Sequence, residues 1–88
     1  MGNRLMYRVV FHKKAKKFVD GLPKQEKTRI VTAIEQLPHI GDIKKLQGHS
    51  TLYRLRVGKY RIIYTVDNNI LVIYIIDIGS RGEIYNKY

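Results

Sequence analysis

Three arginines, Arg54, Arg56 and Arg61, lie in the stretch Tyr53-Arg54-Leu55-Arg56-Val57-Gly58-Lys59-Tyr60-Arg61-Ile62-Ile63-Tyr64. A guanidinium stays protonated and offers parallel N–H donors that match a carboxylate or a phosphate. Spacing decides whether the three act together. The stretch reads as a β-hairpin closed by Gly58-Lys59, with glycine at the first central position, as a type II′ turn requires. So tight a turn sets Val57 opposite Tyr60, Arg56 opposite Arg61, Leu55 opposite Ile62, Arg54 opposite Ile63 and Tyr53 opposite Tyr64. Alternation then gives one apolar face, with Tyr53, Leu55, Val57, Tyr60, Ile62 and Tyr64, and one face with Arg54, Arg56 and Arg61. Like charges directly opposite on a strand pair repel. Keeping Arg56 against Arg61 therefore points to an anion between them. The plainer alternatives are a solvated basic face, or arginines paired with Asp77 or Glu83.

The rest of the chain has to position that hairpin. Met6 to His12 alternates and is rich in Val, Tyr and Phe, which reads as a first strand. Ala15, Phe18, Val19 and Leu22 fall at helical spacing within Lys13 to Leu22, and lysines take the outer side. Gly21-Leu22-Pro23 breaks this helix, glycine suiting its end and proline the first position of the next. Pro23 to Leu37 repeats the pattern with Ile30, Ala33, Ile34 and Leu37, so the helices form a hairpin. Pro38 to Asp42 reads as a loop, and Lys44 to Leu52, with Gly48, His49 and Ser50, as a basic connection. After the arginine hairpin comes the turn Asp67-Asn68-Asn69, where Asx residues tolerate left-handed conformations. Ile70 to Ile78 is a run of branched apolar residues, interrupted by Tyr74 and Asp77, that belongs in a well-covered strand. Gly79 to Gly82 reads as a bend and Glu83 to Tyr88 as a tail. The expected fold is α+β, in the order β-α-α-β-β-β. An N-terminal helix hairpin packs on a mostly antiparallel sheet of about four strands, with the arginine face open to a ligand. No repeat or linker divides residues 1–88, which read as a single domain.

Composition narrows the partner. The net charge is +10. Residues 1–19 hold Arg4, Arg8, Lys13, Lys14, Lys16 and Lys17 and no acid, and residues 43–66 hold Lys44, Lys45, Arg54, Arg56, Lys59 and Arg61 and no acid. Two acid-free basic blocks suggest a polyanion. No stretch joins such charge to a broad apolar face, which argues against a membrane surface. The first residues lack the apolar core of a signal peptide, and Ile70 to Ile76 is too short to span a bilayer. There is no cysteine, so disulfides and thiolate metal sites are excluded. A cytoplasmic location is expected. His12, His39 and His49 have no metal-ligand spacing, and no Ser-His-Asp arrangement is evident. His49 is of interest only because it precedes the hairpin.

Five pieces carry a resemblance: Tyr7-Arg8-Val9-Val10-Phe11, Leu22-Pro23, Lys45-Leu46-Gln47-Gly48, the arginine hairpin, and Gly79-Ser80-Arg81-Gly82-Glu83-Ile84-Tyr85. Together they resemble the RelE/ParE superfamily, the toxins of bacterial type II toxin–antitoxin modules, over nearly the whole chain. RelE-like members cut messenger RNA in the ribosomal A site, whereas ParE-like members poison DNA gyrase by binding. By resemblance, a RelE-like nuclease uses basic residues at Arg54 and Arg56, arginines at Arg61 and Arg81, and a tyrosine at Tyr85. Each of these positions carries a cation or a phenol here, which favours the nuclease, an mRNA interferase.

The resemblance implies a metal-independent endoribonuclease, without cofactor, that yields 2′,3′-cyclic phosphate and 5′-hydroxyl ends. Arg56, Arg61, Arg81 and Tyr85 would be catalytic, and Arg54, Lys44 and Lys45 would bind RNA phosphate. Lys13, Lys14, Lys16 and Lys17 would contact the 70S ribosome through RNA backbone. Some members have lysine where this chain has Arg54 and Arg56. Arginine clamps phosphate but is a poor general base, so proton transfer falls to Tyr85, or to Lys44 or Lys45. Tyr85 as a packing residue is the alternative. The implied partners are the ribosome, mRNA and a cognate antitoxin whose acidic, amphipathic tail covers the basic surface. A gyrase inhibitor, or a non-catalytic remnant that only binds antitoxin, are the competing functions.

Overall fold

The computed structural model describes residues 7–49 and 51–88; Arg4, Met6 and Ser50 lie outside them. The elements are β1 (Arg8–Phe11), α1 (Lys13–Asp20), α2 (Lys24–Glu35), β2 (Asp42–Lys45), β3 (Tyr53–Val57), β4 (Tyr60–Asp67), β5 (Val72–Ser80) and α3 (Arg81–Lys87). The strands form one sheet in the order β1-β5-β4-β3-β2. β1 runs parallel to β5, and the other pairs are antiparallel.

Every position of both expected helical stripes joins the core. Ala15, Val19, Ile30, Ile34 and Leu37 are buried, and Phe18, Leu22 and Ala33 pack against them. They meet the apolar sheet face, where Leu55, Val57, Tyr60, Ile62 and Tyr64 are buried beside Ile73, Ile75 and Ile78. Each such Ile or Leu contributes about 1.5–3 kcal/mol by leaving water. The hydroxyl of Tyr60 donates to Glu26 Oε1 of α2, fastening helix to sheet. The hairpin register is the expected one. Gly58 takes φ +58° and Lys59 keeps an ordinary φ, the requirement of a type II′ turn. At the next turn, Asn69 N donates to Asp67 Oδ1 at 2.9 Å. The left-handed residue there is Leu71, with φ +54°, and not an Asx residue.

Among the described residues the sheet has five strands and not about four. Asp42 to Lys45, divided in the sequence reading between a loop and a connection, forms the edge strand β2 by antiparallel pairing with β3. Its sequence, Asp-Ile-Lys-Lys, offers one apolar residue, so pairing rather than propensity makes it a strand. The expected tail is instead helix α3. A capping box holds its start: the Glu83 carboxylate accepts from Ser80 N at 3.1 Å, and the Ser80 side chain accepts from the Glu83 backbone N–H. Gly79 lies in β5 and Gly82 in α3, which replaces the expected bend. In β5 the register against β4 shifts, so that Ile63 faces Asp77 while Tyr64 faces Ile75. Ile76 is left over as a β-bulge. No helix of the described residues is long and apolar enough to cross a membrane.

Candidate active site

Cross-strand pairing builds the face opposite the core as two rows. One row runs Asp42, Arg56, Arg61, Gly79, and the next runs Lys44, Arg54, Ile63, Asp77. Arg54, Arg56 and Arg61 therefore share one face, as expected. The anion between them is not where the repulsion argument placed it. Asp42, one residue before the second acid-free block, pairs with Arg54 at 3.0 Å and with Arg56. Arg61 is 5 % exposed and donates through Nη1 to the carbonyls of Gly58 at 2.8 Å and Tyr60 at 3.0 Å. Neither Asp77 nor Glu83 pairs with Arg56 or Arg61. Asp77 takes Lys14 and Lys87, and Glu83 serves the capping box.

The face is also less open than expected, because α3 lies against β5 and β4 on this side. Arg81 N donates to Lys59 O at 3.1 Å, which ties the first residue of the helix to the hairpin turn. Ile84 is buried and packs on Gly79. Tyr85, one residue further on, is 54 % exposed. The Arg81 guanidinium lies 5.5 Å from its ring centroid. A hydrogen-bond donor from Arg61 pulls the Tyr85 phenol below its ordinary value; burial opposes this in part, and Arg81 adds to the lowering. The Nε atoms of Arg54 and Arg61 are buried and have no acceptor among the described residues. Such donors are rare in folded proteins. Guanidiniums from two strands and a helix, with an acidified phenol above them, can hold a phosphate and move a proton.

A family model described as the ParE toxin of the type II toxin–antitoxin system parDE matches residues 9–85. A protein of Methanocaldococcus jannaschii assigned as toxin RelE1 is 32% identical over 77 residues, 78% of this chain and 86% of the relative.

The chain belongs to the RelE/ParE toxin superfamily.

Among solved structures, RelE of the archaeal RelE–RelB complex from Pyrococcus horikoshii OT3 superposes with a TM-score of 0.73 at 34% identity, covering 89% of this chain and 98% of that one. The RelB–RelE complex from Methanococcus jannaschii gives 0.72 at 30% identity, with 90% and 98% covered. The toxin is RelE-like in both sequence and fold.

Within the toxin, Lys44 and Lys45 part company. Lys44 stands directly opposite Arg54 on the arginine face, whereas Lys45 stands opposite Tyr53 on the other face. The α1 lysines also divide. Lys14 is 3.2 Å from Asp77 and Lys16 is 2.8 Å from Asp20, while Lys13 and Lys17 are exposed without an ion pair among the described residues. The histidines lie edge-on to different tyrosines: His12 to Tyr74, His39 to Tyr7 and His49 to Tyr88. His49 thus borders the end of α3. The sequence reading missed Asp42, whose role depends on β2. It also missed helix α3, although the spacing Ser80-Arg81-Gly82-Glu83 is a capping-box signal.

Proposed function

We propose that this toxin is a ribosome-dependent endoribonuclease that cuts messenger RNA in the A site without a metal ion. The observation that carries the reading is the placement of Tyr85 and Arg81, 5.5 Å apart, on a helix that packs over Gly79, the cross-strand neighbour of Arg61, beside the arginines of β3. In the reaction, the Tyr85 phenolate takes the proton of the 2′-hydroxyl. The 2′-oxygen attacks the adjacent phosphorus, and the charge gathered on the phosphorane is met by Arg54, Arg56, Arg61 and Arg81. The bond from phosphorus to the 5′-oxygen breaks, and Lys44, on the same face, protonates the leaving oxygen. The products are a 2′,3′-cyclic phosphate and a 5′-hydroxyl. Lys45, on the opposite face, takes no part in this step and is left to contact RNA backbone elsewhere.

The cognate antitoxin is a second partner under the same proposal, as RelB is for the RelE relatives. A groove of about 320 Å³ between α2 and β3 is lined by Ile40, Leu55 and Val57 together with Arg29 and Arg56. It suits an apolar side chain flanked by carboxylates. In a cell-free system the toxin is expected to stop translation and leave messages cut within the A-site codon. Messages that stay whole while translation continues would sink the nuclease reading.

A gyrase inhibitor is the second reading. It is favoured by the family model, which is a ParE toxin, and by the commitment of Arg61 Nη1 to backbone carbonyls. It predicts intact RNA and cleaved DNA trapped on gyrase in a supercoiling assay. Unimpeded supercoiling removes it.

A further inference from the structure

The bulge at Ile76 turns Asp77 out of the core, where the alternation of Ile73 and Ile75 would have placed it, onto the arginine face. There it is 3 % exposed. Its Oδ2 is 3.2 Å from Lys14 Nζ of α1, 3.4 Å from Lys87 Nζ and 3.3 Å from the hydroxyl of Tyr88. A buried carboxylate costs stability unless it is paired and hydrogen-bonded, and an apolar residue of similar size is often the more stable choice. The location therefore calls for a reason beyond stability. Two of the three partners, Lys87 and Tyr88, come two and three residues after Tyr85 at the end of the same helix.

Helix α3 is 7 residues long, far too short to hold its own shape in water. It buries one residue, Ile84. Its start is held by the capping box and by the bond from Arg81 N to Lys59 O. Its far end meets the sheet through Asp77. Tyr85 lies between these two moorings. We propose that Asp77 is a positioning residue of the toxin, which holds the end of α3 down on the sheet and so keeps Tyr85 over Arg61. The proposal deepens the nuclease reading, but the placement of Tyr85 can be measured without any cleavage.

The groups that bear on the measurement are Arg61 from β4 and Arg81 from α3 at Tyr85, and Lys14, Lys87 and Tyr88 at Asp77. The test is the titration of ring-labelled tyrosines by NMR in the full chain, with the Tyr85 signal assigned by Tyr85→Phe. Asp77→Asn keeps the size and an acceptor but loses the charge. The double variant Lys87→Met/Tyr88→Phe releases the end of α3 from its own side and leaves the sheet intact. Both are expected to move the Tyr85 titration upward, toward that of an ordinary phenol. Both are also expected to slow cleavage roughly tenfold to a hundredfold, as small misplacements of a reacting group do. A Tyr85 titration unmoved in the folded double variant overturns the proposal. So does a shift seen with Asp77→Asn alone, since the effect would then not run through the end of α3. RNA left whole by the wild-type toxin removes the nuclease reading and leaves the titration to decide the role of Asp77.

Discussion

An arginine as buried as Arg61 holds the hairpin, whatever part it has in the proposed cleavage. Its Nη1 donors close on Gly58 and Tyr60, the turn and the strand start, while Nε is unspent. From the hairpin alone, Arg61→Ala is expected to leave folding unchanged or improved, by relief of the pair with Arg56. The structure reverses that sign. The variant is expected to lose about 2 kcal/mol of stability, the scale of hydrogen bonds to a charged group in a buried place, read by denaturant unfolding. Cleavage should fall about a hundredfold or more beyond any loss of folded protein, as when one oriented transition-state donor is removed. Arg61→Lys should restore part of each, because an ammonium keeps the charge without the fork. Full-rate cleavage by folded Arg61→Ala would place the chemistry elsewhere. Tyr85 supplies the pH dependence. Guanidiniums favour its phenolate, so its titration lies below that of an ordinary phenol. With Tyr85 as the base, the rate rises with pH until that depressed value is reached and then levels. Removing Arg81 takes away part of the stabilisation, so in Arg81→Ala the rising limb should move to higher pH. A limb that stays in place would show that Tyr85 is not the base.

At the scale of elements, the decisive contact is that of α3 with the end of β5. Gly79 faces Arg61 across the sheet, and a Cβ built there would come within 3.2 Å of Glu83 Oε1 and 3.4 Å of Ile84. The glycine is needed for close approach, its φ not being in the left-handed range. Gly79→Ala must push α3 outward by a few tenths of an ångström or strain the capping carboxylate. It is expected to cost about 1 kcal/mol by overpacking and to weaken cleavage, because Tyr85 moves with its helix. Ser80→Ala attacks the same helix from its cap and should cost about 1 kcal/mol. Calorimetry with cleavage assays on the two variants tests both, and wild-type stability and rate in each would show that α3 is not held in this way.

On the scale of the molecule, the charge of +10 is not evenly available. Asp20 binds Lys16 and Lys27, and its carboxyl is held below the usual range, first by Lys16. Lys13 and Lys17 have no such acid among the described residues. If α1 contacts ribosomal RNA, replacing Lys13 or Lys17 by glutamine should lower the salt slope of ribosome binding by about one each, and replacing Lys16 should lower it less. Equal slopes for all three would show that α1 lies off the interface. The core sets the alkaline limit of the fold. Burial, with Tyr53 nearby, pushes the Tyr64 phenol up to about 12. A raised acid favours the folded state fully below the unfolded phenol value of 10.0 and loses that contribution as pH climbs through about 12. Stability should therefore fall between these values, and Tyr64→Phe should flatten that fall in an alkaline unfolding series.

Alternation in Tyr53 to Tyr64 was enough to determine the β3–β4 register and the arginine face, because a two-residue turn leaves no slack and a slip of one would turn the arginines onto the apolar face that packs on the helices. Helical spacing likewise determined α1 and α2, whose stripes are the core. The signals that carried Arg81 and Tyr85 lay in their resemblance to a family, while Ser80 and Glu83 held an unread helix start. Only the tertiary structure decided that Asp-Ile-Lys-Lys is a strand, since its partner supplies the hydrogen bonds that its side chains do not encode. The same pairing set Asp42 against Arg54 and Arg56 and split Lys44 from Lys45. The bulge at Ile76 decided which face receives Asp77, and α3, folding back over Gly79, turned an open basic face into a partly covered one. These outcomes rest on contacts between residues far apart in the chain, and local periodicity carries no record of such contacts.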